Sequence, residues 1–151
     1  MPQLTSGLAD RILEGSPDAI LVCDPAGQIR YWNGAATRIF GFSEADALGA
    51  SLDLIIPERL RGRHWAGWEK VAATGVTRYA EGQLLAVPAL HKDGRTLSVE
   101  FSLQLLKDAD ARLEWMVAVI RDVTERYTRD RTLRAELAAF RAKATAPSPA
   151  E

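Results

Sequence analysis

A single cysteine, Cys23, in 151 residues excludes an intramolecular disulfide, and no CxxC pair offers a zinc site. His64 and His91 are the only histidines, so a tetrahedral all-protein zinc site would need carboxylates as well. Long apolar runs are missing too. Stretches such as Ala19–Cys23 and Met116–Ile120 are far too short to cross a bilayer. Asp10, Arg11 and Glu14 break up the N-terminal stretch where a signal peptide would need an apolar core. A cytoplasmic protein with no membrane partner is expected. Nor is there an excess of charge of either sign: 19 Lys and Arg stand against 20 Asp and Glu, a net charge of −1, with no pull toward nucleic acid. No Ser/His/Asp arrangement, P-loop or carboxylate pair with a common cleft can be assigned, so no enzymatic role is expected.

What is present is the composition of one globular domain, 47% hydrophobic and 26% charged. Two domains of half this length would each be marginal, so one core is expected. Leu8, Ile12 and Leu13 are spaced like the apolar side of a short N-terminal helix, stopped by Gly15-Ser-Pro17. Residues 19–24 and 28–32 read as two strands joined by the turn Asp24-Pro-Ala-Gly27. Asn33 caps a helix from Gly34 that Gly41 ends, and Ser43 with Asp46 forms a shortened capping box for a further helical turn. Trp32, just before the cap, anchors the hairpin to that helix.

Pro57 and Gly75 bracket a longer helix. Within it Leu60, His64, Trp68 and Val71 are separated by four, four and three residues, one stripe, so His64 is predicted to face inward. Three strands are expected after Gly75, over 77–91, 95–106 and 114–122. Asp93-Gly94 supplies a hairpin turn, and residues 97–103 alternate strictly between apolar and polar. Glu100 then lies on the exposed side of its strand, His91 is exposed near the turn, and Trp115 packs on the sheet. Residues 123–143 form a charged helix with Val123, Tyr127, Leu133, Leu137 and Phe140 as its apolar members. The predicted organisation is an N-terminal flanking helix over 1–15, a domain over 16–125, a C-terminal helix over 126–143 and a disordered tail over 144–151. The fold class is α+β, an antiparallel sheet with short helices on one face and flanking terminal helices.

The segments Ser16-Pro-Asp-Ala-Ile-Leu-Val, Trp32-Asn33, Ile39-Phe-Gly-Phe42, Leu54-Ile-Ile-Pro-Glu58, Lys92-Asp-Gly94 and Arg121-Asp-Val-Thr-Glu125, in that order, resemble a PAS domain of the S-box type. The resemblance covers residues 7 to 125. It implies a five-stranded antiparallel sheet cupping a ligand pocket beneath short helices. It also implies a sensory or interaction module that signals through its terminal helices to an output domain or a separate signalling protein. Lys92 and Glu58 would form the surface salt bridge seen in many members.

The stretch from Ile56 to His64, continuing to Gly75, is similar to the FixL-type haem-binding subset. That similarity implies haem b, with His64 as the iron ligand and Arg59, Arg61 and Arg63 as partners for its propionates. Leu60, Trp68, Tyr79, Leu84, Leu85, Phe101, Leu103 and Val117 would line the pocket. Leu84 or Leu85 stands where that subset carries an oxygen-binding arginine; neither side chain can donate, which favours CO, NO or redox sensing over O₂. Met116, a possible second axial ligand, is expected in the core instead. The reactive-cysteine motif of photosensing flavin members is absent, and Cys23 falls in a strand. A haem-free interaction module with an apolar pocket, dimerising through the N- and C-terminal helices, is the competing expectation.

Overall fold

The computed structural model describes residues 6–80 and 82–146. Five strands form one sheet of order β2-β1-β5-β4-β3: β1 (Ala19–Cys23), β2 (Ile29–Trp32), β3 (Leu85–Leu90), β4 (Thr96–Lys107) and β5 (Leu113–Asp122). All four strand pairings are antiparallel. Between β2 and β3 the chain makes α2 (Gly34–Phe40), α3 (Glu44–Ala47), a 3₁₀ turn (Leu52–Ile55) and α4 (Glu58–Thr74). α1 (Ser6–Gly15) and α5 (Thr124–Thr145) flank the domain.

Local chemistry accounts for these boundaries. Asn33 Oδ1 accepts from Ala36 N at 2.9 Å to start α2, and Gly41 ends it at φ +80°. The Ser43/Asp46 capping box forms as expected. Gly75, at φ +63°, closes α4. Pro88 is tolerated because β3 is an edge strand.

The core lies on the face of the sheet that carries the short helices. Leu21, Cys23, Ile29 and Trp32 from the first hairpin meet Phe40, Leu52, Ile55, Leu97, Val99, Ala118 and Ile120 there. Trp32 is fully buried, and its Nε1 donates to Thr37 Oγ1 at 3.1 Å, so the expected hairpin-to-helix anchor is present. Burying each large side chain of this set contributes about 2 kcal/mol. Cys23 and Met116, opposite each other in register, are both buried in this core. Burial, and then the charge of Asp24, pushes the Cys23 thiol up to about 12, so it is an inert packing group.

The structure corrects several expectations. Residues 77–80 and 82–84 are not strand: Tyr79 N donates to Thr77 Oγ1, Gln83 N returns to Ala80 O, and Gly82 sits at φ +74°. Side-chain turn bonds there replace ladder bonds, and β3 begins only at Leu85. α5 continues through Thr145, so two residues of the predicted tail are helical, and 147–151 lie outside the described residues. Lys92 pairs with Asp46 at 2.9 Å rather than with Glu58, because its backbone N is already fixed to Phe40 O beside α3. Glu100 is half-buried and paired with Arg126 of α5. His91 is not exposed either. Its imidazole covers Gly41, where a Cβ would lie 2.6 Å from His91 Cε1.

Candidate functional site

α4 stands apart from every other element of the domain. Not one of its 17 residues is buried, although it carries the apolar stripe Leu60, His64, Trp68 and Val71. All four of these are half-buried. On the helix-bearing face of the sheet, Leu85, Phe101, Leu103 and Leu105 are half-buried too, and Val87 is 40% exposed. Ordinary helix-on-sheet packing would bury both stripes fully. Leu60, Trp65, Trp68, Phe101 and Leu103 all pack against the edge of the core, so the two incompletely covered apolar surfaces border the same interior.

His64 sits in that border. Its ring meets Trp65 edge-on, with centroids 4.8 Å apart and planes at 81°, and Trp68 at 5.6 Å and 40°. Its Nδ1 is fully buried with no hydrogen-bond partner. Burial holds the imidazole below its ordinary value, against the opposing charge of Asp53, and so favours its neutral form. An orphaned nitrogen on a neutral imidazole costs free energy unless something binds it.

Two indoles fix this imidazole. Trp65 Nε1 donates to Asp53 Oδ1 at 2.7 Å, and Trp68 Nε1 donates to the carbonyl of Pro25 at 2.9 Å. Arg61 braces the start of the helix by donating to Ile56 O and Asp53 O at 3.1 and 3.2 Å. Sequence reading missed Asp53 and Pro25. The tryptophans were visible beside His64, but their partners lie 12 and 43 residues away, at no spacing a local pattern could reveal.

The proposed lining residues divide into three groups. Leu60, Trp68, Leu85, Phe101 and Leu103 share the helix-bearing side with His64. Tyr79 is half-buried in the loop after α4, its hydroxyl accepting from Arg78 at 2.8 Å. Two residues are misplaced by the sequence reading. Leu84 is 65% exposed and precedes β3. Val117 pairs with Val22 and Gln104 and faces away from α2, α3 and α4. β5 is apolar on both faces from Met116 to Ile120, so its alternation gave no signal of which face was inward. Arg59 and Arg63 are exposed on α4. A groove of about 570 Å³ at the start of this helix is lined by Pro57, Glu58, Arg59, Arg61 and Leu90.

Val117 belongs instead to a groove of about 440 Å³ on the outer face, with Leu13, Ile20, Val22, Arg30, Tyr31, Leu106 and Trp115. Beside it Glu14 accepts from the Tyr31 hydroxyl at 2.7 Å and from Gly34 N at 3.2 Å, tying α1 to the body. Among the described residues no group of three or more His, Cys, Asp or Glu side chains is arranged to hold a metal ion. No helix there is long and apolar enough to cross a membrane.

Residues 13–128 match the family model of the PAS fold. An uncharacterised protein of Azorhizobium caulinodans is 33% identical over 123 residues, 81% of this chain and 16% of that protein. The sensor protein FixL of Bradyrhizobium diazoefficiens is 29% identical over 120 residues, 76% of this chain and 22% of FixL. The chain thus spans less than a quarter of the length of either relative. Among solved structures, the PAS domain of a Colwellia psychrerythraea protein superposes with a TM-score of 0.68 at 18% identity, covering 79% of this chain and 97% of that one. An RNA-binding light-oxygen-voltage receptor does so with a TM-score of 0.68 at 22% identity, covering 92% and 41%. At these identities the structures share the fold alone.

Proposed function

The chain belongs to the PAS family, and on that premise we propose that this sensory domain takes haem b between α4 and the sheet, with His64 as the iron ligand. The observation that carries this reading is the buried, unpartnered Nδ1 of a neutral imidazole, set between two half-covered apolar surfaces. A flat apolar group would cover Leu60, Trp68, Phe101 and Leu103 and would be tethered by a ring nitrogen of His64. Arg59 and Arg63 are exposed on the same helix, and their guanidinium groups would pair with its carboxylates at the solvent edge. Bound there, haem supplies an iron centre able to take a diatomic gas or to change redox state. The residues of this chain hold it, keep water from its apolar faces and keep the imidazole unprotonated. Leu85 and Phe101 offer no hydrogen-bond donor on the sheet side, which favours CO, NO or redox change as the signal over O₂.

A sensor of this kind signals only if its ligand binds two conformations unequally. α1 and α5 are the elements to carry that difference to an output partner, and they pair with a second copy of the chain. Leu8 and Ile12 on α1, and Tyr127, Leu133, Leu137 and Phe140 on α5, are all at least 40% exposed, apolar surface that a dimer would cover. Light scattering across a dilution series should then give twice the chain mass; a monomer at every concentration counts against the pairing.

The deciding experiment is an absorption spectrum of protein purified from cells supplied with a haem precursor, oxidised and then reduced. A sharp haem band at one per chain, abolished in His64→Ala, supports the reading. A colourless protein that takes up no added haemin refutes it and leaves the competing one, an interaction module with an apolar pocket for a small organic ligand or no ligand. A yellow protein with a flavin spectrum would refute it equally.

A further inference from the structure

The two indoles that flank His64 also hold the β1–β2 turn. Trp68 donates to Pro25 O within the turn. The ring of Trp65 lies so close to Gly27 that a Cβ there would be 2.3 Å from its Cη2 and Cζ3 atoms. The other polar anchors of α4, from Arg61 and Trp65, reach only Asp53 and Ile56, a few residues before the helix begins. No residue of α4 is fully buried, so beyond the half-buried packing of Leu60, Trp65 and Trp68 on the core edge these polar anchors are what hold the helix.

The turn itself is tightly braced. Gly27 N donates to Asp24 O, Asp24 N to Gln28 O, and Gln28 N to Asp24 Oδ1, each within 2.9–3.0 Å. Asp24 Oδ2 accepts from Arg30 Nε at 2.8 Å, and Arg30 lines the groove on the opposite face of the sheet. A short chain of direct contacts therefore runs from the His64 face of α4, through Trp68 and Pro25, to Asp24, Arg30 and the outer groove.

We propose that Trp65 and Trp68 couple α4 to the β1–β2 turn, so that a displacement of α4 at the His64 face is carried through the turn to the outer groove. A braced turn transmits such a displacement because its hydrogen bonds leave it few other arrangements. The assignment of a ligand to the His64 face rests on the reading above, but the coupling is a property of the chain alone and is tested without any ligand.

The test is amide hydrogen exchange on the ligand-free chain and on Trp68→Phe, which keeps a ring and removes the donor. Loss of one hydrogen bond should speed exchange at Gly27, Gln28 and the α4 amides roughly three- to tenfold. The backbone amides of His91 and Gly94, in the β3–β4 turn, should not change. Coupling is reciprocal, so Asp24→Asn, which loosens the turn, should speed exchange in α4 as well. Faster exchange confined to α4 in Trp68→Phe, or equal acceleration in both turns, overturns the proposal. Adding haemin separates the two readings. A chain that takes up no haem refutes haem binding while the ligand-free arms still decide the coupling. A chain that binds haem with no change at Gly27 and Gln28 overturns the coupling alone.

Discussion

Arg121 grips both oxygens of Asp18, its Nε donating to Oδ1 at 2.9 Å and its Nη2 to Oδ2 at 2.8 Å across 103 residues of sequence. The pair ties the residue just before β1 to the end of β5, where the chain turns into α5. It thereby fixes the strand neighbours from which both terminal helices depart.

Hydrogen bonding to Arg121 holds the Asp18 carboxyl below its ordinary value, outweighing the effect of burial. A carboxylate with a folded pKa below its unfolded value of about 3.9 stabilises the fold above that pH, and loses this as pH falls through the folded pKa. Asp18→Asn should therefore melt at a lower temperature than wild type at pH 7. The gap should close as the pH drops below about 4. A gap that persists unchanged to pH 2 would show that the ion pair is not its source.

Asn33 is almost fully buried and uses all four of its hydrogen-bonding sites. Oδ1 accepts from Ile20 N and Ala36 N; Nδ2 donates to Leu13 O and Asp18 O. It joins α1, β1 and α2 at one point. Asn33→Ala should cost about 3 kcal/mol in urea denaturation. Asn33→Asp should be nearly as costly, because it turns an oxygen toward two carbonyls. An Asp variant close to wild type would mean that the two donated bonds matter little.

Gly27→Ala meets two obstacles, a φ of +81° and the Trp65 ring that Asp53 pins at its other edge. Gly94, at φ +91°, has open space around it. Backbone strain alone costs about 1–2 kcal/mol at either site. Gly27→Ala should lose measurably more stability than Gly94→Ala and should shift tryptophan fluorescence; equal losses would show that the ring moves aside freely.

Ala111 is the one described non-glycine residue with positive φ, at +61°, in the turn where Asp108 accepts from Asp110 N and Arg112 N. Ala111→Gly relieves this and should raise stability by about 0.5–1 kcal/mol, after the added freedom of the unfolded chain is counted. A loss on thermal melting would contradict the strained geometry.

His64→Phe removes the orphaned Nδ1 while keeping a flat ring against Trp65 and Trp68. In the ligand-free chain it should be neutral or stabilising by about 1 kcal/mol, whereas in haem uptake it should be as defective as His64→Ala. A large loss of ligand-free stability would mean that the imidazole serves the fold rather than a ligand.

Local chemistry was legible where neighbours in sequence decide the structure. Asn33, the Ser43/Asp46 box, Gly41, Gly75 and Asp93-Gly94 each act within four residues, so helix ends and hairpin turns could be read directly. The α4 stripe placed His64 on the inward side for the same reason. Residues 77–80 and 82–84 were misread as strand because the Thr77 and Gln83 side chains satisfy the backbone locally, which a strand-like composition conceals.

The α+β class, the caps, the turns and the face of α4 that carries His64 are all readable along the chain, because helical and strand periodicity are local properties. The folded arrangement was needed to show that Val117 faces outward, since a strand apolar on both faces carries no sign of its register. It alone brought Lys92 to Asp46, Arg126 to Glu100 and Trp68 to Pro25, partners whose distance along the chain no periodicity encodes. It alone showed that no residue of α4 is fully buried and that Nδ1 of His64 has no partner, because burial is set by what the rest of the chain does not reach.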